Sequence, residues 1–146
     1  MATTNPAPSN DNDEDNFYGA SSQVSTNPVA AEFFFVLLQS AVIAHILHLQ
    51  TRSIAEHMAL DTFYKELPGL TDDLIENYQG KYGIINVYPT HAKLPDGGNP
   101  IKLITNLSAY IKLHRQGVAP DSEIQNLIDE IQSLVNSTAY KLKFLS

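Results

Sequence analysis

Five side chains of the 146-residue chain have the types and spacing of metal ligands: His45, His57, Asp61, Asp72 and Glu76. His57 follows His45 by twelve residues, Asp61 lies four beyond His57, and Asp72 and Glu76 lie fifteen and nineteen beyond it. Imidazole and carboxylate together suit iron or manganese. The chain has no cysteine, so thiolate zinc sites, iron–sulfur clusters and disulfides are excluded. On a helix His57 and Asp61 project from one face, as do Asp72 and Glu76, yet His57 and Asp72 are then about 22 Å apart. One chain cannot close such a site. Two hairpins packed antiparallel about a two-fold axis would bring Asp72 and Glu76 of one subunit to His45 and His57 of the other, making two equal sites.

The elements that must carry these residues are helices. Asn27 and Pro28 form a capping residue and a first-turn proline, and the helix they open is apolar around most of its circumference, through Phe33, Phe34, Phe35, Val36, Leu37, Leu38, Val42, Ile43, Ile46, Leu47 and Leu49. Such a helix must be covered on nearly every side. Its length approaches the roughly 20 residues that span a bilayer, but Glu32, Gln39, Ser40, His45 and His48 fall inside it and no basic residue flanks its start. Burial by the chain's own bundle and a neighbouring subunit is therefore expected, and no membrane.

Ser53 with Glu56 is a capping box that starts a second helix near Ile54, after a turn at residues 50–53. That helix is expected to end at Gly80 and to kink or break at Pro68 and Gly69, with Thr71 recapping its second half. Residues 80–99 hold Gly83, Pro89, Pro95, Gly97 and Gly98 and read as a long crossover, briefly extended at 84–88. A third helix follows from about Pro100 to Gln116, closed by Gly117, and a fourth starts after Pro120 with Asp121 as cap. The fold class is all-α, a four-helix bundle with one long crossover between the second and third helices.

A chain of this length with 43% hydrophobic residues makes one domain, here 28–146. Residues 1–27, rich in Asn, Ser, Thr, Pro and Asp, read as a disordered acidic tail, with Phe17 and Tyr18 as anchors if it docks. The net charge of −7 disfavours nucleic acid and anionic lipid and favours cations. Residues 1–27 contain no Lys or Arg, so no secretory signal is expected and the cytoplasm is the default location. No phosphate loop or Ser/His/Asp arrangement occurs.

His45, His57, Asp61, Asp72 and Glu76 match, position for position, the intersubunit ferroxidase pattern of the Dps mini-ferritins, which the chain resembles and whose small forms occur in tailed-phage genomes. That resemblance implies a ferritin-like bundle, metal ligation by the two histidines of one subunit and by Asp72 and Glu76 of its partner, and a role for Asp61 at the second iron. It further implies two-fold dimers assembled into a dodecameric cage, and ferrous iron oxidised by peroxide or dioxygen and stored as ferric mineral. Ile46 stands where the family has Trp, and the turn lacks the family's Gly. DNA binding by a lysine-rich tail is not expected, because this tail is acidic. The alternative reading is a non-catalytic helical-bundle interaction or structural protein, of viral origin. Glu32 is expected to be buried and paired with Lys141 or Lys143, or to face the interior of an oligomer, His48 to be an added ligand or to bond to the turn, and His114 with Arg115 to complement a helix C-terminus.

Overall fold

Asn27 does two jobs at once. Its side-chain oxygen accepts from the backbone N–H of Val29 and Ala30 (3.0 and 3.2 Å), capping the first helix, α1 (Pro28–Gln50). Its Nδ2 donates to the carbonyls of Gly117 and Val118 (3.0 and 3.1 Å), which the third helix would otherwise leave without partners. The computed structural model describes residues 2–4, 23–92 and 98–145. The acidic run of the expected tail, with Phe17 and Tyr18, lies outside the described residues.

Three further helices follow: α2 (Ile54–Tyr82), α3 (Pro100–Val118) and α4 (Ser122–Phe144). Ser53 caps α2 by accepting from Glu56 N–H, as the capping box requires. Asn99 and Pro100 repeat at α3 the device that opens α1. Asp121 stands at the cap position of α4 but makes no side-chain cap bond; its carboxylate is taken by Lys81 and by the Tyr82 hydroxyl at the end of α2.

Packing runs α1 on α2, α2 on α4, α4 on α3 and α3 on α1, a closed ring of four. Asn27 meets Gly117 and Phe33 stacks on Tyr110, so α1 and α3 are antiparallel. Lys81 meets Asp121 and Glu123, so α2 and α4 are antiparallel. Since α1 and α2 form a hairpin, α2 and α3 point the same way, and the connection between them has to travel from one end of the bundle to the other. The expected all-α four-helix bundle with one long crossover is what the chain forms.

The core runs the full length, from Phe33, Phe34 and Tyr78 through Phe63, Leu67 and Leu107 to Leu60 and Leu142. Buried hydroxyls return their hydrogen to the preceding turn: Ser40 to Val36 O, Thr71 to Leu67 O and Thr138 to Leu134 O, at 2.7 to 2.8 Å. Thr71 therefore does not recap a second segment. Of the kink or break expected at Pro68, the break does not occur: α2 is continuous, with Phe63, Leu67, Thr71, Leu74 and Tyr78 burying one face on both sides of the proline. Gly117 is inside α3 rather than beyond it: a Cβ there would come within 2.8 Å of Val29 Cγ1, so this glycine makes room for α1.

Residues 23–27, read from sequence as the end of the tail, are tied down. Val24 and Ile84 form an isolated parallel bridge, Ser25 N–H donates to Ile84 O (2.9 Å), and the Ser25 and Tyr78 hydroxyls are 2.8 Å apart. α2 runs to Tyr82, past the expected stop at Gly80, and ends at Gly83, next to the bridge. Glu32 is exposed, not buried, and accepts from the Tyr110 hydroxyl at 3.2 Å; Lys141 and Lys143 lie on α4, across the ring from α1. α1 is long and apolar enough to cross a membrane, yet half of that stretch is buried in the bundle.

Two outcomes follow from these contacts. Gly83 has φ +95° and its Cβ would sit 2.4 Å from Gln23 O, so Gly83→Ala should cost about 1–3 kcal/mol in urea unfolding; an unchanged midpoint would mean that the bridge adds nothing. Burial, then the Glu32 charge and the hydrogen bond to it, raise the Tyr110 hydroxyl well above the usual tyrosine range. A raised folded pKa holds its stabilisation below the unfolded value and loses it above, so stability should fall as pH rises past about 10. Tyr110→Phe should flatten that fall without abolishing it, since Tyr82 and Tyr88 are also raised.

Candidate functional site

The α1–α2 hairpin gathers the chain's chemistry-bearing residues at one end. His48 is in the last turn of α1 and His57 in the first turn of α2, and their rings stack with centroids 3.8 Å apart. Each ring bonds to the other's backbone: His48 Nδ1 lies 3.0 Å from His57 O, and His57 Nδ1 lies 3.1 Å from His48 O. A carbonyl oxygen only accepts, so both Nδ1 atoms carry hydrogen. The His48 carbonyl is one of those that a helix leaves without an internal donor at its C-terminal end. His57 is thus a cap supplied by the next helix.

Around this pair, the exposed His45 ring stacks face to face on Tyr64, 4.0 Å between centroids and 6° between planes, and Tyr64 also touches His48. His48 Nε2 is 3.8 Å from Asp61 Oδ1. Asp61 is taken by Lys65, one turn on, with Nζ–O distances of 2.8 and 2.9 Å. The Lys65 hydrogen bond holds the Asp61 carboxyl below its usual range, with smaller contributions of the same sign from the Lys65 charge and from His48 and His57.

The structure therefore brings His45, His57 and Asp61 to one end of the molecule and leaves Asp72 and Glu76 exposed further along α2, at least about 16 Å from Asp61 along the helix axis. Within one chain the five residues do not form a di-iron site, and among the described residues no group of three or more His, Asp or Glu side chains is placed to hold a metal ion. The two stacked rings each have one nitrogen bound to backbone, and the nearest carboxylate is neutralised by an ammonium. A cation would have to displace Lys65 to use it.

His48, read as an added ligand or as bonding to the turn, bonds past the turn to the His57 carbonyl in the first turn of α2. Lys65 was missed, although its place four residues after Asp61 is the ordinary signal of a helical ion pair. Tyr64, whose ring contacts His45 and His48, was not among the site residues read from the sequence. At the opposite end of the bundle a cavity of about 380 Å³ is lined by Ser25, Asn27, Tyr78, Tyr82 and Gly117, but the Ser25, Asn27, Tyr78 and Tyr82 side chains there already have hydrogen-bond partners. Arg115 lies in the last turn of α3, as expected, and its guanidinium also crosses to α4 to bond Gln125 and Asp129.

The paired histidines should behave as a structural clamp. His48→Ala and His57→Ala should each destabilise by about 1–3 kcal/mol in urea unfolding. The double variant should lose less than the sum, because each substitution also removes the other ring's stacking partner. Additive losses would show that the rings act independently.

The comparisons with known proteins bear on the resemblance read from the ligand pattern. Residues 48–142 match a family described as a family of unknown function, DUF5856, beginning at the clamp histidine and running almost to the end of α4. A relative from Enterobacteria phage T4, an uncharacterized 14.6 kDa protein of the mobD–ri intergenic region, is 30% identical over 115 residues, 77% of this chain and 87% of its own length. No solved structure matches. Neither a ferritin-like family nor Dps is among these findings, and the Dps resemblance is corrected accordingly. The ligand reading of His45, His57, Asp61, Asp72 and Glu76 began from their types and spacing, and the ferroxidase roles that the Dps resemblance added to it lose their warrant. Of the five, His57 bonds to the His48 carbonyl and Asp61 pairs with Lys65, while His45 stacks on Tyr64 and Asp72 and Glu76 are exposed further along α2. By the match over most of its length, the chain belongs to DUF5856, a family of unknown function.

Proposed function

We propose that the protein is a non-catalytic helical interaction module of a virus, and that its working surface is the outward face of α1. The observation that carries this reading is exposure. Val42 and Leu49 keep 60% and 71% of their surface in water, and Leu38 and Ile46 are exposed beside them. These residues recur at intervals of three and four along α1 and so form one continuous stripe. Scattered exposed apolar residues are ordinary, but a contiguous stripe on a well-packed helix marks a contact surface.

Two other observations support the reading. At the hairpin, the Nδ1 atoms of His48 and His57 and the carboxylate of Asp61 are engaged in internal bonds. The similarity to an uncharacterized phage T4 protein is compatible with a viral role. The apolar face lies mostly before residue 48, where the family match begins. The clamp lies within the match.

A photo-crosslinking residue placed at Val42 tests the reading in cells that make the protein. Irradiation should give covalent adducts from position 42 and none from Lys112, which is exposed on α3. Equal yields at the two positions, or none at either, would overturn it.

A further inference from the structure

We infer that the partner of the α1 face is a second copy of this chain, packed antiparallel across a two-fold axis near Val42. The inference rests on the interaction reading above and names its occupant. Four features of α1 carry it.

The first is charge. Between Glu32 and Arg52 the sequence has no Asp, Glu, Lys or Arg. The face therefore holds no side-chain charge that would repel a second copy of a chain whose net charge is −7. The second is the sign at each end. Glu32 and Arg52 are both exposed, each ten residues from Val42, and among the described residues Arg52 makes no ion pair. Antiparallel packing sets the acid of one copy at the height of the base of the other, twice, at the rims of the contact. Parallel packing would set like charges side by side. Charge complementarity thus selects the orientation.

The third is periodicity. Phe35, Val42 and Leu49 return every seven residues, the spacing that keeps a seam facing a partner helix at a shallow crossing angle. With Val42 on the axis, Leu38 comes level with Ile46 of the other copy and Phe35 with Leu49. Each exposed apolar residue of the stripe then meets an apolar one. The fourth is extent. The seam from Phe35 to Leu49 is about 21 Å long, a small interface that gives a dimer with a dissociation constant in the micromolar range rather than an obligate one.

Sedimentation equilibrium of the purified full chain between about 1 and 100 µM reads the result. Wild type should shift from monomer to dimer across that range, and Ile46→Glu should remain monomeric with an unchanged circular dichroism spectrum. Glu32→Arg and Arg52→Glu should each weaken pairing about tenfold, and the double variant should restore it. Since the chain has no cysteine, Val42→Cys gives a single thiol, which should oxidise to a covalent dimer where Lys112→Cys does not. A wild type that stays monomeric at the highest concentration overturns the inference, as does a dimer that Ile46→Glu leaves intact. A charge-swapped double variant no better than either single one overturns the antiparallel register. Monomeric wild type with Val42-specific adducts of a different protein, or of lipid, would remove self-pairing and leave the interaction reading standing. Monomeric wild type without such adducts would remove both.

Discussion

In a ring of four helices each helix is covered by two neighbours, and α1 has apolar side chains on more of its circumference than two neighbours can reach. The rest of the molecule is arranged around that excess. Phe33, Phe34, Leu37, Ala41 and Ala44 are buried, and the packing of α2 and α3 on α1 fixes which residues these are. Val29, Leu38, Val42, Ile46 and Leu49 stay exposed. Moving them inward would require a fifth element across the outside of α1. A helix apolar on nearly all sides usually belongs to a larger core or to a membrane, and here it belongs to a small bundle whose exposed remainder is a surface for association.

The polar side chains at the ends of the bundle have a complementary task. Helix ends leave carbonyls and amides without partners, and in a small domain these lie close to the core. Asn27 serves the start of α1 and the end of α3 together. His57 serves the end of α1 from the start of α2. Asp121 ties the end of α2 to the start of α4 through Lys81 and Tyr82. Each of these residues joins two helices, so the closure of the ring and the satisfaction of the helix ends depend on the same few side chains. Residues that could have done chemistry are used in this way as architecture.

Much of the fold was legible in local sequence. Asn27 with Pro28 and Ser53 with Glu56 marked helix starts correctly because capping is decided within four residues. What was not legible depended on partners distant in sequence. Pro68 reads locally as a kink or break, yet α2 stays whole, with a buried face that runs past it. Gly80 reads as a stop, but the helix ends at Tyr82, where Gly83 meets Gln23. Gly117 reads as a C-cap, yet its lack of a side chain serves Val29 on another helix. Glu32 looked buried because its neighbours are apolar, but it lies on the flank of the exposed stripe.

The candidate site shows how far spacing carries and where it stops. An antiparallel hairpin brings to equal height residues equally far from its turn, and this was enough to gather histidines from both helices. His48 is four residues before Arg52 and His57 five after it, so these two pair; His45 and Tyr64, seven before and twelve after, stack although they are not equally far from the turn. A ligand pattern and a capping pattern place the same residue types at the same heights, because both need imidazoles facing across one hairpin. They differ in where the second partner of each ring lies. A histidine ligand commonly donates one ring nitrogen to a carbonyl or carboxylate and turns the other toward the metal. In this hairpin the first half of that arrangement is present on both rings, but the carboxylate nearest the free nitrogen of His48 is held by Lys65. The lysine is what turns a ligand-like cluster into a clamp.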